Sequence, residues 1–207
     1  AFARFKLRIR TYGTDSNPKN PVFFELKRKV GVVIIKSRAR MSRGKYGPNI
    51  VPHPETAPML KSPKENNNLL EFCRIANTIG ARPKMLIRYI RESYFGANDD
   101  YARITFDRRV SYRPTRSWEL PGEEVADFKY WRPMDTQTGL RRPYAGYIFE
   151  LKAMRDTPTW MMELVRRFNL NNTGFCKYAV AWRLETLFRG FTYADGSENT
   201  TLTPNWI

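Results

Sequence analysis

The chain has 207 residues, with 36 Lys or Arg against 20 Asp or Glu, a net charge of +16 and an isoelectric point near 10.1. That length supports one domain with its own core, and two distant cysteines, Cys73 and Cys176, exclude a disulfide scaffold or a Cys-x-x-Cys metal site. The charge calls for a polyanion: nucleic acid, an anionic membrane or a phosphate polymer.

The first predicted element spans 4 to 12, where Arg4, Lys6, Arg8 and Arg10 alternate with Phe5, Leu7 and Ile9. A strand here places every cation on one face. The chain opens Ala-Phe-Ala-Arg without an initiator Met and already inside this pattern, so residues are expected upstream. Strands over Val22 to Lys29 and Val32 to Arg40 follow, joined by a tight turn at Val30-Gly31. The aliphatic run Val32 to Ile35 is far too short to cross a bilayer, and no signal-peptide pattern opens the chain. A cytoplasmic protein with no transmembrane segment is expected.

Five prolines between Met41 and Asn68 predict a long irregular loop. Asn68 to Ile79, with Gly80 as its stop, has apolar residues at helical spacing. Strands are predicted at Lys84 to Tyr94, Tyr101 to Asp107 and Tyr147 to Lys152, the first two joined through the stretch 96 to 100. Ser111 to Gly122 reads as a loop. Helices are predicted over 158 to 168 and 176 to 188, and Thr192 to Ile207 as a polar tail. The fold class is α+β: an antiparallel sheet with three helices packed outside it.

Within each strand the charged residues share a face. Glu25, Lys27 and Lys29 lie opposite Phe24 and Leu26; Lys36, Arg38 and Arg40 lie opposite Ile35 and Ala39. Arg103, Thr105 and Asp107 lie opposite Ile104 and Phe106, and Glu150 and Lys152 opposite Phe149 and Leu151. A single strand of this kind is an ordinary solvated face. Five of them, with sparse acids among many cations, suit a closed barrel lined with charge that holds a polyphosphate and a divalent metal. The lone histidine, His53, stands among prolines and reads as an exposed loop residue.

Arg8-Ile-Arg10-Thr-Tyr-Gly, Phe24-Glu25-Leu-Lys27-Arg-Lys29, Lys36-Ser-Arg38, Arg91-Glu-Ser-Tyr with Arg103-Ile-Thr-Phe-Asp107, Phe149-Glu150-Leu-Lys152 and Phe175-Cys176-Lys177-Tyr178 occur in this order. Together, from Arg8 to about Ala181, they resemble the polyphosphate polymerase domain of the vacuolar transporter chaperone (VTC) family, within the CYTH-like triphosphate tunnel enzymes. The chain looks like a bacterial member lacking the family's first strand, with one such domain over 1 to 191.

The resemblance implies an antiparallel tunnel barrel, a divalent metal, manganese or magnesium, and transfer of the ATP γ-phosphate to inorganic polyphosphate. It implies that Arg8, Arg10, Lys27, Lys36, Arg38, Arg91 and Arg103 form the catalytic set on the phosphates, with Lys177, Lys152 and Lys29 touching substrate or product. Glu150 would ligate the metal. Glu25 either helps to hold the metal or to orient Lys27, or it neutralises neighbouring cations. Asp107 reads as a turn residue or local ion-pair partner, and Arg88 and Lys84 as lying outside the bore. Cys176 stands where the family motif usually has Ser.

Two other functions share these residues, a tripolyphosphatase and a non-catalytic polyphosphate or inositol-polyphosphate binding module. Nucleic acid is not expected, because Phe5, Phe24, Phe106 and Phe149 alternate away from the cations, where they cannot stack on bases.

Overall fold

The computed structural model describes residues 3–13, 16–31, 33–96, 101–122, 131–137, 146–154 and 156–192, with side chains from 5 to 187. It is α+β with antiparallel sheets, as the alternation predicts, and forms two compact units, Ala1–Lys84 with Thr115–Lys129, and Met85–Pro114 with Tyr130–Ile207.

In the first unit, β1 (Ala3–Thr11), β2 (Pro21–Val30) and β3 (Val33–Ser42) pair in that order. The β2–β3 turn uses Gly31 at φ 58°, a conformation that a side chain would strain. Strict alternation makes Val22, Phe24 and Leu26 fully buried and turns the residues between them outward. Helix α1 (Pro63–Thr78) lies over this apolar face with Leu69, Phe72, Cys73 and Ala76. Phe72 meets Phe24 edge to face at 5.3 Å. Arg28, a cation on the apolar side, is matched by Glu71 of α1 at 2.7 Å, and Ser37 donates to the same carboxylate at 3.1 Å. Burial raises the Cys73 thiol to about 11, so it stays protonated as a packing residue.

Helix α1 starts five residues before the predicted Asn68. Pro63 occupies the first turn, where its missing N–H costs nothing, and Glu65 follows in the positive end of the helix dipole. The proline-rich stretch before it is irregular apart from two short 3-10 turns, Arg43–Lys45 and Pro54–Thr56. The chain returns to this unit at 115–122. There Trp118 and Leu120 join the core, the Tyr46 hydroxyl donates to the Trp118 carbonyl, and Arg43 donates to the Pro121 carbonyl at 2.6 Å.

In the second unit, β4 (Met85–Phe95) pairs with β5 (Ala102–Pro114), whose other edge takes β6 (Arg132–Pro133) and β7 (Ile148–Ala153). The tip predicted at 96–100 lies mostly outside the described residues, as does the tail beyond Thr192. Two predictions need correction: β5 does not end at Asp107, and 111–114 is strand, not loop. Arg109, at φ 50°, forms a bulge opposite Tyr89 that absorbs one extra residue and lets pairing resume at Ser111. No residue type in Arg108-Arg109-Val110 announces a bulge.

Helix α2 (Thr159–Arg167) buries only Met161, whereas α3 (Lys177–Thr192) packs Ala181 and Leu184 onto Val110, Tyr112 and Met134. Ile87 and Tyr89 join this cluster and alternate onto the same side of β4 as Arg91. One face of this sheet is therefore apolar at one end and cationic at the other. The opposite face carries a Tyr94, Phe106 and Phe149 stack. The prediction of one greasy and one charged face holds in the first unit and gives way here to a division along the strands. No helix among the described residues is long and apolar enough to cross a membrane.

Truncating Phe72 to Ala should lower stability by about 3–5 kcal/mol, the range for a buried aromatic that leaves a cavity. Leu70→Ala, on the exposed side of α1, should change it by under about 1 kcal/mol. Urea denaturation of both variants checks the assignment of the two helix faces.

Candidate polyanion-binding site

In the first unit the register sets the outward side chains in rows across three strands. Lys6, Lys27 and Lys36 form one row, Arg8, Glu25 and Arg38 the next, and Arg10, Phe23 and Arg40 the third. Neighbouring strands are about 5 Å apart. Like charges at that separation repel by roughly 1 kcal/mol in bulk water and about 3 kcal/mol near a protein surface. The sheet therefore requires either an internal counterion or an external one.

Glu25 is the internal one. Its Oε2 accepts from Arg8 Nε at 2.7 Å, its Oε1 from Arg38 Nη2 at 2.6 Å, and Arg10 Nε lies 3.8 Å away. Burial alone would raise its carboxyl, but Arg8, Arg10 and the Arg38 hydrogen bond outweigh burial and hold it below the usual range. Phe23 adds a second support, with the Arg38 guanidinium 4.9 Å and that of Arg40 6.0 Å from its ring. Arg8 and Arg38 remain more than half exposed at 59% and 56%, so each still presents N–H groups to solvent. Lys27 and Lys36 are exposed in the neighbouring row, and Lys29 is exposed one row further on, beside Ile34.

In the second unit three rows cross β4, β5 and β7. They are Arg91, Asp107 and Ile148; Ser93, Thr105 and Glu150; and Phe95, Arg103 and Lys152. Arg91 grips Asp107 with two parallel bonds, Nε to Oδ1 at 2.6 Å and Nη2 to Oδ2 at 2.7 Å. Lys177, the first residue of α3, reaches Asp107 Oδ2 at 2.6 Å. Glu150 pairs with Lys152 at 3.0 Å and lies 3.6 Å from Arg91 and 3.5 Å from the Thr105 hydroxyl. The Tyr89 ring lies 5.2 Å from the Arg91 guanidinium and 4.8 Å from the Lys177 ammonium. Arg103 sits over Phe95 at 5.5 Å.

Twelve residues proposed from sequence thus gather as two sets. Arg8, Arg10, Glu25, Lys27, Lys29, Lys36 and Arg38 share one face of the first sheet, and Arg91, Arg103, Glu150, Lys152 and Lys177 share one face of the second unit. Arg88 lies away from Arg91, bonded to Ser111 at 3.2 Å and stacked on Trp131, as its alternation predicts.

Of the two readings of Asp107, the turn fails and the ion-pair partner holds, though the partners are Arg91 across the sheet and Lys177, not sequence neighbours: Asp107 is mid-strand, 1% exposed, and the centre of the second set. Burial pushes its carboxyl up, but the hydrogen bonds from Arg91 and Lys177 win and hold it below the usual range. Arg91 is in turn raised, first by its Asp107 bond. Tyr89 and Phe23 carry no signal in the sequence, because an aromatic at a single position has none until its neighbours across the sheet are known.

Among the described residues no three His, Cys, Asp or Glu side chains converge as a metal cage. A divalent ion carried on phosphate oxygens needs only one or two protein carboxylates. Glu150 fits that part: its side chain is 40% exposed, beside a hydroxyl and within reach of the Lys152 and Arg91 cations. Glu25 does not fit, since both oxygens are taken by guanidinium groups.

The depressed Glu25 and Asp107 carboxyls contribute stability that is complete above the unfolded value of about 4 and is lost as pH falls through their lower folded values. Glu25→Gln should cost about 1 kcal/mol at pH 7 in low salt, discounted for the exposed arginines. The difference should shrink as pH falls below about 4 and when sulfate is added. Thermal denaturation across that pH and salt range measures this.

A comparison with curated proteins gives no match. The VTC domain matches residues 2–185. With nearly its whole length covered and its cations ordered in this way, the chain belongs to the VTC domain family, which is associated with inorganic polyphosphate.

Proposed function

We propose that this chain is a metal-dependent polyphosphate polymerase that moves the γ-phosphate of ATP onto a growing inorganic polyphosphate chain. The observation that carries this reading is the in-register cation rows, each set centred on a carboxylate that fixes its neighbours while leaving part of each guanidinium or ammonium group to solvent. Repeated rows about 7 Å apart along the strands suit a repeating polyanion better than a single small anion. The closed tunnel barrel that the resemblance implies is part of the proposal.

Phosphoryl transfer needs positioning and neutralisation of charge more than it needs a nucleophilic side chain. Arg8, Arg10, Lys27, Lys36, Arg38, Arg91 and Arg103 would hold the phosphoryl oxygens, and Lys29, Lys152 and Lys177 the product chain. Glu150, alone of the two proposed ligands, would hold manganese or magnesium. When bound, that ion supplies charge neutralisation at the reacting phosphoryl group. Arginine suits the central rows because its planar fork matches two phosphoryl oxygens at once.

The test is polymer formation by the full-length protein with ATP and manganese, resolved by gel. A polymer supports the proposal; release of orthophosphate from tripolyphosphate without any polymer replaces it with hydrolysis by the same site, and neither activity removes catalysis. Glu150→Gln should reduce synthesis by about 100-fold or more while tripolyphosphate affinity stays within about threefold. Arg38→Ala should instead raise the KM for ATP about tenfold, as expected for one lost charge-assisted contact. Steady-state kinetics with calorimetric binding separates the two effects.

A further inference from the structure

We propose that Asp107 is a positioning residue of this site, a buried carboxylate that holds Arg91 and Lys177 at a fixed separation for neighbouring phosphoryl groups. The inference rests on the polyphosphate reading above and adds to it a residue with no direct part in binding phosphate.

Three observations carry it. First, both Asp107 oxygens are committed: Arg91 takes one each with Nε and Nη2, and Lys177 shares Oδ2, all between 2.6 and 2.7 Å. Second, Asp107 is 1% exposed, whereas Arg91 and Lys177 are 24% and 20% exposed. The carboxylate is out of reach of a ligand while its two partners are not. A guanidinium with two N–H groups committed keeps three, and an ammonium with one committed keeps two. Third, the two cations come from unconnected elements, β4 and the first residue of α3, and Asp107 is the atom set they share. The Tyr89 ring beside both limits where either can swing.

A carboxylate serving stability alone has no need of two partly exposed cations, since buried ion pairs add little over apolar packing. One that holds cations in advance of binding removes the ordering that long flexible side chains would otherwise undergo when substrate arrives.

Asp107→Asn keeps the size and one acceptor but removes the charge. In the full-length protein the kcat for polymer synthesis, per folded molecule, should fall about 10- to 100-fold while the KM for ATP stays within about threefold or decreases, because the site gains one net positive charge. A variant whose melting temperature falls but whose kcat per folded molecule is unchanged would show a purely structural residue and overturn the proposal. If Asp107→Asn fails to fold, the charge-balanced pair Asp107→Asn with Lys177→Gln is compared with Lys177→Gln alone. A further loss of about tenfold supports the role through Arg91, and equal rates overturn it. Should the wild type make no polymer, the enzymatic reading fails, but Asp107 is still tested by tripolyphosphate binding. The salt dependence should steepen by about one ion in Asp107→Asn, and an unchanged slope counts against the proposal.

Discussion

Crowding of like charge is the constraint from which the rest of this molecule follows. Pairing β1, β2 and β3 in register sets Lys6, Lys27 and Lys36 on strands about 5 Å apart and, in the next two rows, brings arginines of β1 and β3 to either side of Glu25 and Phe23. Such a surface costs several kcal/mol unless anions enter it. Glu25 enters from the middle strand, where it can reach arginines on both flanking strands at once. In the second unit Asp107 reaches Arg91 on one flanking strand and Lys177 at the start of α3, while its neighbour on the other strand is Ile148. A carboxylate on an edge strand could reach one neighbouring strand only.

The two carboxylates solve the problem differently. Glu25 lies beneath guanidinium groups that are themselves largely exposed, so solvent and salt share the screening. Asp107 is sealed under Arg91, Lys177 and the Tyr89 ring, next to the apolar cluster of Ile87, Val110 and Ala181. Its pairing is stronger because water is excluded, and its two cations are more firmly placed. The division of one sheet face into an apolar end under α3 and a cationic end beyond Tyr89 is what puts Lys177 there. The helix is anchored by Ala181 and Leu184, and its first residue overhangs the charged end.

The bulge at Arg109 has a part in this arrangement. It inserts one extra residue between Asp107 and the apolar residues of β5, so that Asp107 faces Arg91 while Val110 and Tyr112 still face α3. Without it, alternation would send Val110 and Tyr112 to the side opposite Asp107 and detach the helix from the site.

The strands that carry cations, the face shared by Lys36 and Arg38, the antiparallel class and the family can all be read along the chain. These follow from period-two alternation and ordered motifs, which are local. Pairing across strands exists only in the folded chain. It turned Asp107 from the end of a strand into the centre of a network, brought Glu25 between Arg8 and Arg38, and placed Tyr89 and Phe23 beside the cations. The reason is physical: whether a carboxylate is a turn cap, a metal ligand or a clamp depends on which groups register and helix packing bring within 3 Å, and alternation along one strand carries no record of them.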